Sequence, residues 1–248
     1  MMLIRASRWS MMAAFLTWVW VWATWDGYAA APSDRAVLSE GNQTGGVVGT
    51  VWLAGAHEKP ARLEVFKNRQ FCGSSVPNET FLVNGDGGIQ NVAIILQPLD
   101  QRIQAKPAGI TLDNRNCAFA PHVQIASLGS ELLLKNSDPI LHTVHARLGY
   151  ETLFNVGLPR WRQVTQRLTR GGIIQINCDV LHTWMSAAIL VTPSPFFAVT
   201  DPQGRFDIGD LPAGEYEMKS WHEKLGTLSR SLIITPGART TVHIIYGP

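Results

Sequence analysis

This sequence has little net charge, few cysteines and, beyond its N-terminus, no long apolar run. The formal net charge is +2 over 248 residues. That balance does not suggest a nucleic-acid binder or a polybasic membrane protein. No segment after the N-terminal one combines the length and apolarity needed to span a bilayer. No apolar periodicity marks an amphipathic helix of three or more turns. P-loop, nucleophile-elbow and zinc-protease-helix motifs are absent, which removes the usual signatures of nucleotide, acyl-transfer and metalloprotease chemistry. His-x-His pairs are missing too. Without a histidine-rich centre or any of these motifs, the expectation is a protein that is not an enzyme and has no catalytic residues.

What the N-terminus does carry is a secretory pattern. Arg5 and Arg8 precede an apolar run from Met11 to about Trp25, and Ala29-Ala30-Ala31 offers small residues for cleavage. Residues 1–31 are therefore expected to be a signal peptide. The bulky Trp18, Trp20, Trp22 and Trp25 leave an uncleaved membrane anchor as the rival. Residues 32–45, mostly small and polar, are expected to be a flexible leader. Export to an oxidising compartment permits disulfides. Three cysteines leave one thiol over. Cys178 sits in a ligand-like run, so Cys72 and Cys117 are the natural pair, although three cysteines allow three pairings.

The remainder reads as strands. Val47–Leu53, Arg62–Phe66, Asn91–Leu96, His122–Ala126, Glu131–Lys135, Gly172–Asn177 and Ala187–Thr192 are short apolar or alternating runs punctuated by Gly, Pro, Asn and Asp. This is the pattern of an all-β sandwich. A second unit is expected from Pro193-Ser194-Pro195 onward, with turns at Asp201-Pro202-Gln203-Gly204 and Leu211-Pro212-Ala213-Gly214; it is either a separate small sandwich or the completing strands of a single larger one. The expected division is thus a sandwich over 46–192 and a smaller β-unit over 193–248. With no low-complexity linker between them, the two are expected to pack together.

One octapeptide carries chemistry: Cys178-Asp179-Val180-Leu181-His182-Thr183-Trp184-Met185. It places a thiolate, an imidazole and a thioether in a single loop, spaced Cys-x3-His-x2-Met. Copper in an electron-transfer site takes two imidazoles and a thiolate in a trigonal plane, with a long axial thioether. The second imidazole must come from upstream, and His142 is the best candidate. His145 lies three residues on. An odd separation in a strand turns it to the other face, so only one of the two can face the metal.

At this point the chain resembles the cupredoxin (plastocyanin-like) family. The likeness rests on Asn136 through Val144 and on Cys178, His182 and Met185. It runs over roughly residues 110–192, and more loosely over 46–110. Cys117-Ala118-Phe119-Ala120-Pro121-His122-Val123 and the tail Phe206…Leu211-Pro212-Ala213-Gly214…Tyr216…Trp221-His222-Glu223 resemble an exported bacterial branch related to methylamine-utilisation proteins. That tail is similar to carboxypeptidase-regulatory-like (transthyretin-like) β-domains. The resemblance implies a Greek-key sandwich with copper held by His142, Cys178, His182 and Met185, and single-electron transfer in the periplasm. It also implies that the edge of His182 faces the surface. The chain departs from the family in one respect: small cupredoxins often have two residues between Cys and His, and Leu181 is the extra one here. A binuclear copper site would need a second cysteine where Ile174 stands.

Asn136, His145 and Trp184 are candidates to support the ligands. His122 is expected to be a strand histidine bonded to a carbonyl, with a nearby fifth ligand as the alternative. His222 is a lesser candidate to reach the loop, and His57 and His243 have no evident partner. Arg160, Arg162, Arg167 and Arg170 read as a solvated hairpin, or as steering for an acidic partner. A periplasmic redox protein such as a c-type cytochrome is the expected partner, with no nucleic acid, and with a membrane only if the N-terminus is uncleaved. The alternative function is a metal-free binding or assembly module of the cell envelope.

Overall fold

A computed structural model describes residues 44–55 and 61–247. The expected signal peptide, nearly all of the leader and His57 lie outside the described residues. The fold is all-β. In chain order the elements are β1 (Thr44–Leu53), β2 (Arg62–Glu64), α1 (Arg69–Cys72), β3 (Ser75–Pro77), β4 (Ala93–Pro98), β5 (Gly109–Arg115), β6 (Ala118–Ala120), β7 (Val123–Ser127), β8 (Glu131–Asn136) and β9 (His142–Leu148). They continue with β10 (Glu151–Leu158), β11 (Gln163–Arg167), β12 (Gly172–Asn177), β13 (Ser186–Thr192), β14 (Phe196–Val199), β15 (Arg205–Pro212), β16 (Gly214–His222), β17 (Gly226–Ile234) and β18 (Arg239–Tyr246).

Two sheets enclose the first core. One has the order β10-β9-β12-β13-β7 and the other β11-β8-β5-β6. Leu112, Phe119, Leu132, Leu134, Val144, Ile174, Ile176 and Ile189 fill the space between them. Two further sheets, β15-β1-β18 and β14-β4-β16-β17, enclose a second core. It is built on Val47, Val51, Ile94, Leu96, Phe206, Tyr216, Met218 and Ile244. The short hairpin β2-β3 forms a fifth sheet, with Val76 packed into the first core.

Strand β13 explains why the two cores are one compact unit. Ala187, Ile189 and Val191 point into the first core, while Ala188 and Leu190 point the other way. There they meet Ala93, Val123 and Ile125, with Ile95, Phe197 and Trp221 packed alongside. A strand covered on both faces loses the polar alternation of a half-exposed one. That is why Ala187–Thr192 is apolar almost without interruption.

The pairing differs from the expected division at 192/193. β1 pairs with β15 and, in parallel, with β18, and β4 pairs with β14 and β16. Segments from the first hundred residues therefore complete the C-terminal sheets. Alternation shows which face of a strand is buried but not which strand lies alongside, so the sequence alone groups those segments with the first sandwich. The turn at Asp201–Gly204 shows how tightly this is built. Gly204 has φ +73, and a Cβ there would meet the Val51 carbonyl oxygen at 2.5 Å.

Candidate metal centre

Two turns at one end of the first sandwich build the site. The first links β8 to β9. The Asn136 amide donates to the carbonyls of Ile140 and Leu158, both at 2.8 Å, and its oxygen accepts the Asp138 N–H. This fixes the path of the chain so that Asp138 is buried and His142 starts β9 facing inward. The Asp138 carboxylate accepts the N–H groups of Asn116 (2.7 Å) and Cys117 (2.9 Å). Both of those residues have positive φ in the tight turn between β5 and β6. Asp138 also lies 3.0 Å from His142 Nε2. Burial alone disfavours its charge, yet the His142 bond and the two N–H donors together hold its carboxyl below the usual range.

The second turn joins β12 to β13. Cys178 follows the end of β12, and the His182 carbonyl accepts the Met185 N–H at 2.9 Å, closing the loop just before β13. Leu181 occupies the left-handed region at φ +65 and is 66% exposed. The residue that lengthens the Cys-to-His gap is thus pushed outward into solvent, and the ligand-type side chains on either side still turn inward.

His142, Cys178 and His182 converge. His142 Nδ1 and His182 Nδ1 are 3.0 Å apart, and Cys178 Sγ lies 3.9 Å from the first and 3.6 Å from the second. Both histidines are fully buried and Cys178 is 5% exposed. The outer nitrogens decide what the inner ones can do. His142 Nε2 faces the Asp138 carboxylate, and His182 Nε2 faces Asn68 Oδ1 at 2.9 Å. Both partners accept hydrogen bonds, so each Nε2 carries a proton, and in a neutral ring Nδ1 is the nitrogen left to bind a metal. Two imidazole nitrogens and a sulfur converging this closely form a three-donor set that could hold a metal ion. Two nitrogens and one soft sulfur fit copper.

The sulfur is prepared for this role. Burial opposes a thiolate, but hydrogen bonds from His142 and His182, and the Thr143 and Val180 backbone, bring the Cys178 thiol down to about 5. Thr143 N–H lies 3.4 Å from Sγ, and Thr143 Oγ1 accepts the Asp179 N–H at 2.6 Å. Burial by itself would lower the His142 pKa, yet the Asp138 and Cys178 contacts raise it.

The remaining expected residues fall as follows. Met185 is 1% exposed and packs in the same core as Cys178. Trp184 lies against the His182 ring, centroids 5.0 Å apart, and donates to the Cys117 carbonyl. The Cys72–Cys117 disulfide is present, with an S–S distance of 2.00 Å, and Cys178 is the free thiol. His145 turns away to Thr152 and to Asp179, 2.8 Å from its carboxylate. Asn136 shapes the turn without touching the trio. Two expectations need correction. The His182 edge does not face the surface, because Asn68 covers it. His122 is not bonded to a carbonyl through its ring: its nitrogens face the carboxylates of Glu223 and Glu79. His222 takes no part in the converging trio; its Nδ1 accepts the Lys224 N–H. His243 has a partner, Thr50 Oγ1 at 2.8 Å. Arg167 and Arg170 pair with Glu131 and Glu151 on the surface.

Sequence reasoning did not assign Asp138, Asn68 or Thr143. Asp138 had a signal, an acid four residues before the histidine in an Asp-Pro turn. Asn68 had none, since its partner lies 114 residues away.

No family model matches the chain, and no curated protein matches it either. Among solved structures it is similar to a purple cupredoxin from Nitrosopumilus maritimus, at 19% identity over 34% of this chain and 99% of that one, TM-score 0.30. A reduced amicyanin variant is 17% identical over 34% of this chain and 82% of its own, TM-score 0.31. A copper-containing nitrite reductase from Thermus scotoductus SA-01 is 20% identical over 39% of this chain and 25% of its own, TM-score 0.32.

Proposed function

We propose that this chain is an exported, mononuclear copper-binding protein with a type 1-like site, and that it carries single electrons in the periplasm. The observation that carries the reading is the convergence of His142 Nδ1, His182 Nδ1 and Cys178 Sγ with both outer imidazole nitrogens already engaged. Copper bound there supplies a one-electron couple. Cys178, His142 and His182 would hold the metal, and Met185, buried in the same loop, would be the fourth ligand. Asp138 and Asn68 hold the two rings in the tautomer that binds metal, which limits rearrangement between oxidation states. The Thr143 N–H withdraws electron density from the sulfur. Burial of all three donors keeps water out. We read the strands of 193–248 as a carboxypeptidase-regulatory-like unit, completed by β1 and β4, and a small redox protein such as a c-type cytochrome as the partner. The disulfide and the secretory pattern of residues 1–31 support the periplasmic address.

Copper(II) added to the mature protein should give an intense visible sulfur-to-copper charge-transfer band with one copper per chain. That band should be lost in Cys178→Ser. A colourless complex, or a band that survives Cys178→Ser, would overturn the reading. A folded protein that takes up no copper would point instead to a metal-free assembly module of the envelope.

A further inference from the structure

The loop between β2 and β3 is fastened to the metal site at several points. Val65 is fully buried in the first core. Lys67 Nζ donates to the Val180 carbonyl at 3.3 Å, inside the ligand loop. Asn68 meets His182 Nε2 at 2.9 Å, and Cys72 is bonded to Cys117. Cys117 in turn gives its N–H to Asp138 and its carbonyl to Trp184. The disulfide thus connects the loop to residues that touch both histidines of the trio.

Asn68 is the informative residue. It precedes α1 in the left-handed conformation, φ 56 and ψ 30. An asparagine there ordinarily caps the helix by accepting one of the first free N–H groups. Asn68 makes no such side-chain bond. Its oxygen is committed to His182 instead. The neighbours of His182 in sequence, Leu181 and Thr183, are exposed, while His182 itself is fully buried.

We propose that residues 65–73 form a cap over the metal site, clamped shut by the Cys72–Cys117 disulfide. On this cap Asn68 is a positioning residue that fixes the ring orientation and tautomer of His182. The role of Asn68 toward copper rests on the proposed function. The closure of the cap over Cys178 does not, because it concerns the protein without metal. The cap controls how fast small molecules reach the sulfur and how fast metal leaves.

The test uses the full mature chain. In the metal-free protein, Cys178 is the one free thiol, and its rate of reaction with an aromatic disulfide reagent reports access to the site. The Cys72→Ser/Cys117→Ser variant should react faster by on the order of tenfold or more, since the cap then opens by local fluctuation. Asn68→Leu, which keeps the disulfide, should also react faster, by a smaller factor. In the copper-loaded protein, Asn68→Leu should shift the visible and EPR spectra, and Asn68→Asp, which restores an acceptor, should return them toward wild type. Release of copper to a chelator should follow the same order as the thiol rates. Equal thiol rates in wild type and Asn68→Leu, with unchanged circular dichroism, would overturn the cap. Faster thiol reaction in a protein that binds no copper would uphold the cap and remove only the copper reading.

Discussion

Asp138 governs three groups at once, and its replacement separates charge from shape. Its carboxylate takes two backbone N–H groups and faces His142 Nε2. Asp138→Asn keeps the volume but leaves one oxygen to serve donors that now need two. Loss of such an outer partner of a metal-binding histidine lowers affinity by about 10–100-fold. One unsatisfied buried N–H costs about 1–3 kcal/mol of stability. Chelator competition should show the first effect and urea unfolding of the metal-free protein the second. Unchanged affinity would mean that Asp138 serves the turn and not the metal. The same residue marks what could be read in the sequence. The convergence of Cys178, His182 and His142 was legible because a thiol and an imidazole spaced in one loop, with a further imidazole on an upstream strand, suggest a chemistry by residue type. Asp138 and Asn68 were not, because a carboxylate or an amide acquires its role only from the atom it meets in the fold.

Strands were legible where one face is buried, and their neighbours were not. Alternation in Glu215–His222 places Tyr216, Met218 and Ser220 inward, as observed. Nothing in that pattern says that β16 lies against β4, more than a hundred residues earlier. The linker at Pro193-Ser194-Pro195 looked like a domain boundary because Pro and Ser punctuate the chain. In the fold, Ser194 is fully buried and its hydroxyl donates to the Leu96 carbonyl, so the linker is tied to β4. The interlocking makes a prediction. A chain ended after Thr192 strips β1 of β15 and β18, and β4 of β14 and β16. Val47, Val51, Ile94 and Leu96 would then be uncovered beside unpaired strand edges, a combination that drives aggregation. The truncated chain should elute as aggregate in size-exclusion chromatography and lack the cooperative melting of the full chain. A monomeric, cooperatively melting truncation would show that the first core stands without the second.

Across the whole molecule, a cluster of ionisable groups joins the two cores, and one of them sets a pH limit on the fold. His122, just before β7, lies between Glu79 and Glu223, and Glu223 directly follows His222 at the end of β16. His222 is 1% exposed, packs edge-on against Phe81, and accepts the Lys224 N–H through Nδ1. Burial, only partly offset by Glu223 and reinforced by His122 and Lys224, depresses it from 6.5 to about 4. The unfolded chain therefore binds a proton that the folded chain refuses anywhere between those values. Stability from this residue is complete above the unfolded pKa and is lost as pH falls toward the folded one. A shift of this size corresponds to about 3 kcal/mol between neutral pH and pH 4. His222→Asn keeps an acceptor near the position of Nδ1 and cannot titrate. Chemical denaturation of the metal-free protein at several pH values should show wild type losing about 3 kcal/mol more than His222→Asn over that interval. Carboxylates and histidines away from this cluster contribute equally to both proteins and cancel in the difference. Parallel curves would mean that His222 is protonated in the fold, and that the junction between the two cores is held by charge rather than by a neutral, desolvated ring.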